Sequence, residues 1–75
     1  MRKVRKGSLI GISDALANSL GIHNKTGIVV RGPYESYIKV SSHIGKDVLS
    51  ILMVVDAIFD NAMFEEIPTS DVFVI

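Results

Sequence analysis

The sequence predicts an α+β fold with elements in the order β-α-β-β-α-(β). Three observations carry that expectation. A capped helix signal at Ser13-Asp14 follows a first apolar stretch. Two β-rich runs flank a Gly-Pro step at Gly32-Pro33. The apolar residues after Lys46 recur with a helical period.

Val4 to Ile12 reads as a strand, and Gly7 and Gly11 mark a bend or bulge in it. Ser13-Asp14 offers a side-chain oxygen to cap the free N–H groups of a short helix. Leu16 and Leu20 lie four apart and share a face of it. Gly21 closes it in the left-handed conformation that glycine adopts without strain. His23 to Gly27 is a polar turn. Ile28-Val29-Val30 is a strand, Gly32-Pro33-Tyr34-Glu35 a turn, and Ser36 to Ser41 a second strand, so that these segments form a hairpin.

At 100° per residue, Ile58, Ile51, Ala62, Val55, Val48, Phe59, Leu52 and Met63 fall in one apolar arc. Asp56, Asp60, Lys46, Ser50, Asn61 and Asp47 fall opposite. The expectation is an amphipathic helix of roughly 47–64. Leu49, Met53 and Phe64 interrupt its polar side, and a second apolar stripe implies a second packing partner. The competing assignment makes Val48 to Val55 a buried strand, on its β-branched content. Pro68 breaks the chain, and Asp71 to Ile75 forms a last strand or an extended tail. The chain is thus one domain with a basic β-rich half over 1–44, an amphipathic helix within 45–64 and an acidic, apolar tail over 65–75.

A chain of 75 residues has a small core. With no cysteine, disulfides and thiolate metal sites are excluded. His23 and His43 are too few and too isolated for a structural zinc site. Hydrophobic residues make up 48% of the chain, so an obligate dimer or larger assembly is expected to bury them. The basic start is not followed by a long apolar stretch, and the longest apolar run, Ile51 to Val55, is far shorter than a membrane span. A cytoplasmic protein without membrane contact is expected.

The charges are sorted by position. All eight bases lie within the first 46 residues, opposed there only by Asp14 and Glu35, a balance of +6. The six acids from Asp47 onward meet no base, a balance of −6. Such asymmetry points to two partners, or to one end facing a polyanion.

The run Arg5-Lys6-Gly7-Ser8-Leu9-Ile10-Gly11-Ile12-Ser13-Asp14-Ala15-Leu16-Ala17-Asn18-Ser19-Leu20-Gly21-Ile22 resembles the DNA-binding domain of the AbrB and MazE type. Leu20-Gly21-Ile22 matches the helix end of that family, His23 to Gly27 its turn and Ile28 to Val40 its hairpin. Ile12-Ser13 stands where the family has Ile-Pro, and the turn lacks the usual acidic residue after glycine. The resemblance covers residues 2–41. It implies a swapped-hairpin homodimer, DNA binding through the basic half and, in the antitoxin branch, an acidic C-terminal segment that holds a toxin protein.

The expected DNA contacts are Arg2, Lys3, Arg5, Lys6, Lys25 and Arg31, cations suited to phosphate. The expected partner or oligomer surface is Leu49, Met53, Phe64 and Phe73, within a protein-binding segment over 47–75. No catalytic constellation, metal site or cofactor motif is present in the sequence, so no enzyme is expected; Gly7 to Gly11 lacks the spacing and lysine of a phosphate-cradling loop. The leading expectation is a dimeric DNA-binding regulator or antitoxin-like protein. The alternative is a ferredoxin-like βαββαβ module for protein interaction or oligomerisation without DNA binding.

Overall fold

The structure is a computed structural model that describes residues 3–41 and 44–75, with only the backbone of Val40 and Ser41. Strand β1 is Leu9–Ile12, helix α1 is Asp14–Leu20, and strands β2, β3, β4 and β5 are Thr26–Ser41, Asp47–Phe59, Ala62–Pro68 and Val72–Val74. A 3-10 turn, Thr69–Asp71, joins β4 to β5. The strands form one antiparallel sheet in the order β4-β3-β2-β1-β5.

The amphipathic helix expected over 47–64 is absent: that stretch is β3, a two-residue turn and the start of β4. The reason lies in β3 itself. After Asp47 its odd positions Leu49, Ile51, Met53, Val55, Ala57 and Phe59 are all apolar, an unbroken period of two. Val48, Ile51, Val54, Val55 and Ile58 are β-branched and stiff at χ1, which favours a pleated strand. Asp60 (φ 50°) and Asn61 (φ 63°) then make a hairpin turn with both central residues left-handed.

Both expected folds fail on the strand pairing. Among the described residues one α-helix of seven residues accompanies five strands, and the second helix of a ferredoxin-like fold is missing. The first strand pairs with β2 and β5 of its own chain, so the sheet forms within one chain, without interleaving a second copy as the swapped hairpin requires.

Helix α1 forms where local chemistry places it. Ser13 Oγ accepts from the Leu16 N–H at 3.2 Å. Gly21 (φ 72°) caps the other end, and the Ile22 N–H donates to the Ala17 carbonyl at 3.0 Å. The expected turn at Gly32-Pro33 is instead a bulge within β2. Four residues of β2 (Arg31 to Tyr34) span three of β3 (Asp56 to Val54) there. Gly32 has φ 104°, and an added Cβ would lie 2.9 Å from the Val54 carbonyl oxygen. Proline is tolerated in a strand at such a bulge.

The core joins Ile10 and Ile12 of β1, Ala17 of α1, Val29 of β2, Val55, Ala57 and Phe59 of β3 and Ile67 of β4. Phe64 packs edge-on against Phe59, with ring centroids 6.1 Å apart. The pairing of β4 reaches only from Phe59 to Val54, and that of β1 only the start of β2. Among the described residues the segments 34–41 and 47–53 therefore pair only with each other, as a two-stranded arm extending from the rest of the sheet; the whole molecule measures 37 × 23 × 23 Å.

Candidate functional site

The sheet leaves two apolar faces uncovered. On β1, Ile10 and Ile12 point into the core, so Leu9 and Gly11 point outward. Leu9 pairs with Ile28, Ile28 with Ile58, and Ile58 with Met63. On the other side, the Ile75 N–H donates to the Leu9 carbonyl at 3.0 Å. Met63, Ile58, Ile28, Leu9 and Ile75 thus form one row running directly across the sheet. All five are exposed, from 39% at Ile58 to 55% at Met63. Phe73 adds to the same outer face. Its ring lies over Gly11, and a side chain at Gly11 would overlap it.

The second face is on the arm. Leu49, Ile51 and Met53 occupy the same side of β3 as the core residues Val55, Ala57 and Phe59. The stripe that forms the core continues into solvent. Across from these residues stand Lys39, Tyr37 and Glu35 of β2, in that order. Tyr37 is 70% exposed and Leu49 66%.

At the root of the arm lies the buried carboxylate of Asp56. Its Oδ1 accepts from the Tyr34 hydroxyl at 2.6 Å and from the Glu66 N–H at 3.0 Å. The Glu66 N–H is aimed inward by a bulge in β4, where Glu66 takes φ 56°. Glu66 Oε1 in turn accepts from Ser36 Oγ at 2.7 Å. The Arg31 guanidinium lies 4.3 Å from the Tyr34 ring centroid and 3.9 Å from Asp56 Oδ2. The bond to Asp56 pushes the Tyr34 phenol up to about 12, helped by partial desolvation and the charge of Asp56. Both hydrogen bonds fall on Oδ1, Arg31 faces Oδ2, and the side chain is only 7% exposed. The cluster clamps β2, β3 and β4 where both outer strands are bulged.

The expected DNA contacts are scattered. Lys3, Arg5 and Lys6 are exposed on the segment leading into β1. Lys3 and Arg5 line an open groove of about 620 Å³ with Gly7, Ser8, Leu9, Val74 and Ile75. Lys25 instead pairs with Asp14 at 2.5 Å, and Arg31 belongs to the Asp56 cluster. Arg2 and His43 lie outside the described residues. Of the expected partner surface, Leu49 and Met53 share the arm face, Phe73 lies on the outer face beside the row and Phe64 packs against the core. Ile28, Ile58, Leu9, Met63 and Tyr37 are not among the expected surface residues. Their signal is cross-strand register, which a single strand's periodicity does not carry.

Among the described residues no group of three or more His, Cys, Asp or Glu side chains is placed to hold a metal ion. Among them, too, no helix is long and apolar enough to cross a membrane. No family model matches the chain, and neither a curated protein nor a solved structure does.

Proposed function

We propose that this chain is a protein-interaction module that docks another protein on the outer face of its sheet. The row Met63–Ile58–Ile28–Leu9–Ile75 carries that reading. Large contiguous exposed apolar surfaces mark interaction sites, whereas scattered single residues do not. Five side chains, each about half exposed, run in register across β4, β3, β2 and β1 to the residue that follows β5. Covering their remaining surface is worth on the order of 1 kcal/mol each, about 5 kcal/mol in all before the cost of association. Phe73, an aromatic anchor beside the row, suits the centre of such an interface.

Ile28→Asp tests this. The side chain is 48% exposed, so a charge there is tolerated by the isolated fold while being desolvated in a complex. Immobilised wild type should retain a partner from an extract of the cells that make the protein. The variant, with an unchanged circular dichroism spectrum, should not. Equal capture by the two would sink the proposal.

A dimeric DNA-binding regulator, antitoxin-like or otherwise, is supported by Lys3, Arg5 and Lys6, which stand exposed at one edge beside the open groove. Three cations in each of two copies would give a salt-dependent contact with phosphate. Changing all three to serine should abolish binding to a random-sequence duplex at low salt and leave the fold intact. Undiminished binding would rule these residues out as its source.

A further inference from the structure

The arm carries a face that matches a copy of itself. We propose that this face, Glu35, Tyr37 and Lys39 with Leu49, Ile51 and Met53, packs against the same face of a second copy about a two-fold axis running across the strands. This lies beyond the partner docking proposed above and uses a different face of the sheet.

The rows of the face are Glu35 with Met53, Tyr37 with Ile51, and Lys39 with Leu49. The centre is apolar, and the two ends carry opposite charges at equal distances from it. A two-fold axis through the Tyr37–Ile51 row reverses the strand direction. It therefore lays Glu35 over Lys39 of the second copy and Lys39 over its Glu35, while Met53 meets Leu49 and Tyr37 and Ile51 meet their counterparts. An isologous interface requires such self-complementarity. Within one chain Glu35 and Lys39 lie roughly 13 Å apart along the strand, too far to pair with each other. Among the described residues neither has an ion-pair partner.

The arm also needs a cover. A two-stranded ribbon is marginal in water by itself, and this one exposes on one side the continuation of the core stripe. From their exposures, Tyr37, Leu49, Ile51 and Met53 offer roughly 400 Å² of apolar surface per copy, close to the apolar share of the about 800 Å² that a standard interface takes from each partner. The outer row of a second copy is a poorer match, because none of its five side chains is charged and Glu35 and Lys39 would be left facing apolar side chains.

The decisive experiment uses Glu35→Lys and Lys39→Glu, both at exposed positions, with sedimentation equilibrium as the readout and circular dichroism as the check on folding. Wild type should sediment at twice the monomer mass at tens of micromolar. Each single variant sets like charges against each other at two symmetric places and should dimerise at least about tenfold more weakly. An equimolar mixture of the two should recover the dimer, since a face with lysine at both ends then meets a face with glutamate at both ends. The double exchange within one chain should recover it as well. A monomeric wild type, single variants that dimerise like wild type, or a mixture no stronger than its components would overturn the proposal. Retention of a partner is a separate readout: Ile28→Asp should keep the dimer, and the arm variants should keep the partner.

Discussion

Gly27→Ala adds one methyl group to a strand, and its expected cost follows from three distances. The sequence places Gly27 at the end of a polar turn, where alanine would meet little. In the structure Gly27 lies inside β2 opposite Ile10, facing the core. A Cβ there would stand 2.6 Å from the Ile58 carbonyl oxygen and 2.7 Å from two carbons of the Phe59 ring. The ring can shift; the carbonyl is held in the β2–β3 ladder and cannot move without parting the strands. Overpacking of this kind costs about 1–3 kcal/mol, and a backbone obstacle puts it at the upper end. Replacing glycine also restricts the unfolded chain, which returns about 0.4–1 kcal/mol. The net expectation is a loss of about 2 kcal/mol, or a fall in Tm of roughly 8–16 °C for a domain of this size. Urea unfolding followed by circular dichroism, at one fixed protein concentration, measures it. Adding Phe59→Leu should relieve the ring overlap and give a coupling of at least about 0.5 kcal/mol with Gly27→Ala. A change below about 0.5 kcal/mol for Gly27→Ala, or any stabilisation, would refute the packing of Phe59 on β2.

The phenol of Tyr34 should titrate with a midpoint near 12, read as the ultraviolet difference between wild type and Tyr34→Phe. The folded state then holds that proton more tightly than the unfolded state. The contribution to stability is complete below pH 10 and disappears as the pH rises towards 12; a midpoint near 10 would show that Asp56 does not hold the hydroxyl. Asp60 takes φ 50° in the β3–β4 turn, and its carboxylate accepts from the N–H groups of His23 and Asn24 at 3.2 and 3.3 Å. Asp60→Gly keeps the turn and loses only the bonds, about 1 kcal/mol, whereas Asp60→Ala loses both and should cost more in the same urea assay; equal losses would contradict the left-handed turn. Leu16 is half-buried beside the core, so Leu16→Ala should cost about 1–3 kcal/mol by the same measure, and no loss would detach α1 from the sheet.

What the sequence reveals here is what neighbouring residues decide. Helix α1 is legible because Ser13 and Gly21 cap it by their own side chain and backbone freedom. The hairpin ends are not. Gly32-Pro33 has the composition of a turn, yet Tyr34, Glu35 and the following residues continue the same strand, and the bulge is fixed by Val54 and Asp56 across the ladder. In β3 apolar residues are so dense that both periods fit. The helical arc gathers Ile51, Val55 and Ile58, while the strand separates Ile51 and Val55 from Ile58 and puts Ile58 on the outer face. Asp60-Asn61 is the decisive local signal, two residues tolerant of positive φ between apolar runs. Leu49 and Met53 stand out in the helical period, where they interrupt the polar side; in the strand period they continue the core stripe, and only the pairing shows that no third strand lies beside them. The outer row depends on the register of five strands, and none of its members is distinctive alone. The charge asymmetry is only partly resolved by folding: Lys25 pairs with Asp14 inside the basic half, whereas Arg31 reaches Asp56 in the acidic half.

The native size of the tagged chain in an extract of the cells that make it, beside that of Ile28→Asp, tests the interaction module most directly. Wild type should elute in a complex larger than its own dimer, and the variant should fall back to the size of the purified protein. If both elute at the size of the purified chain, the outer row docks no partner and the interaction module is contradicted.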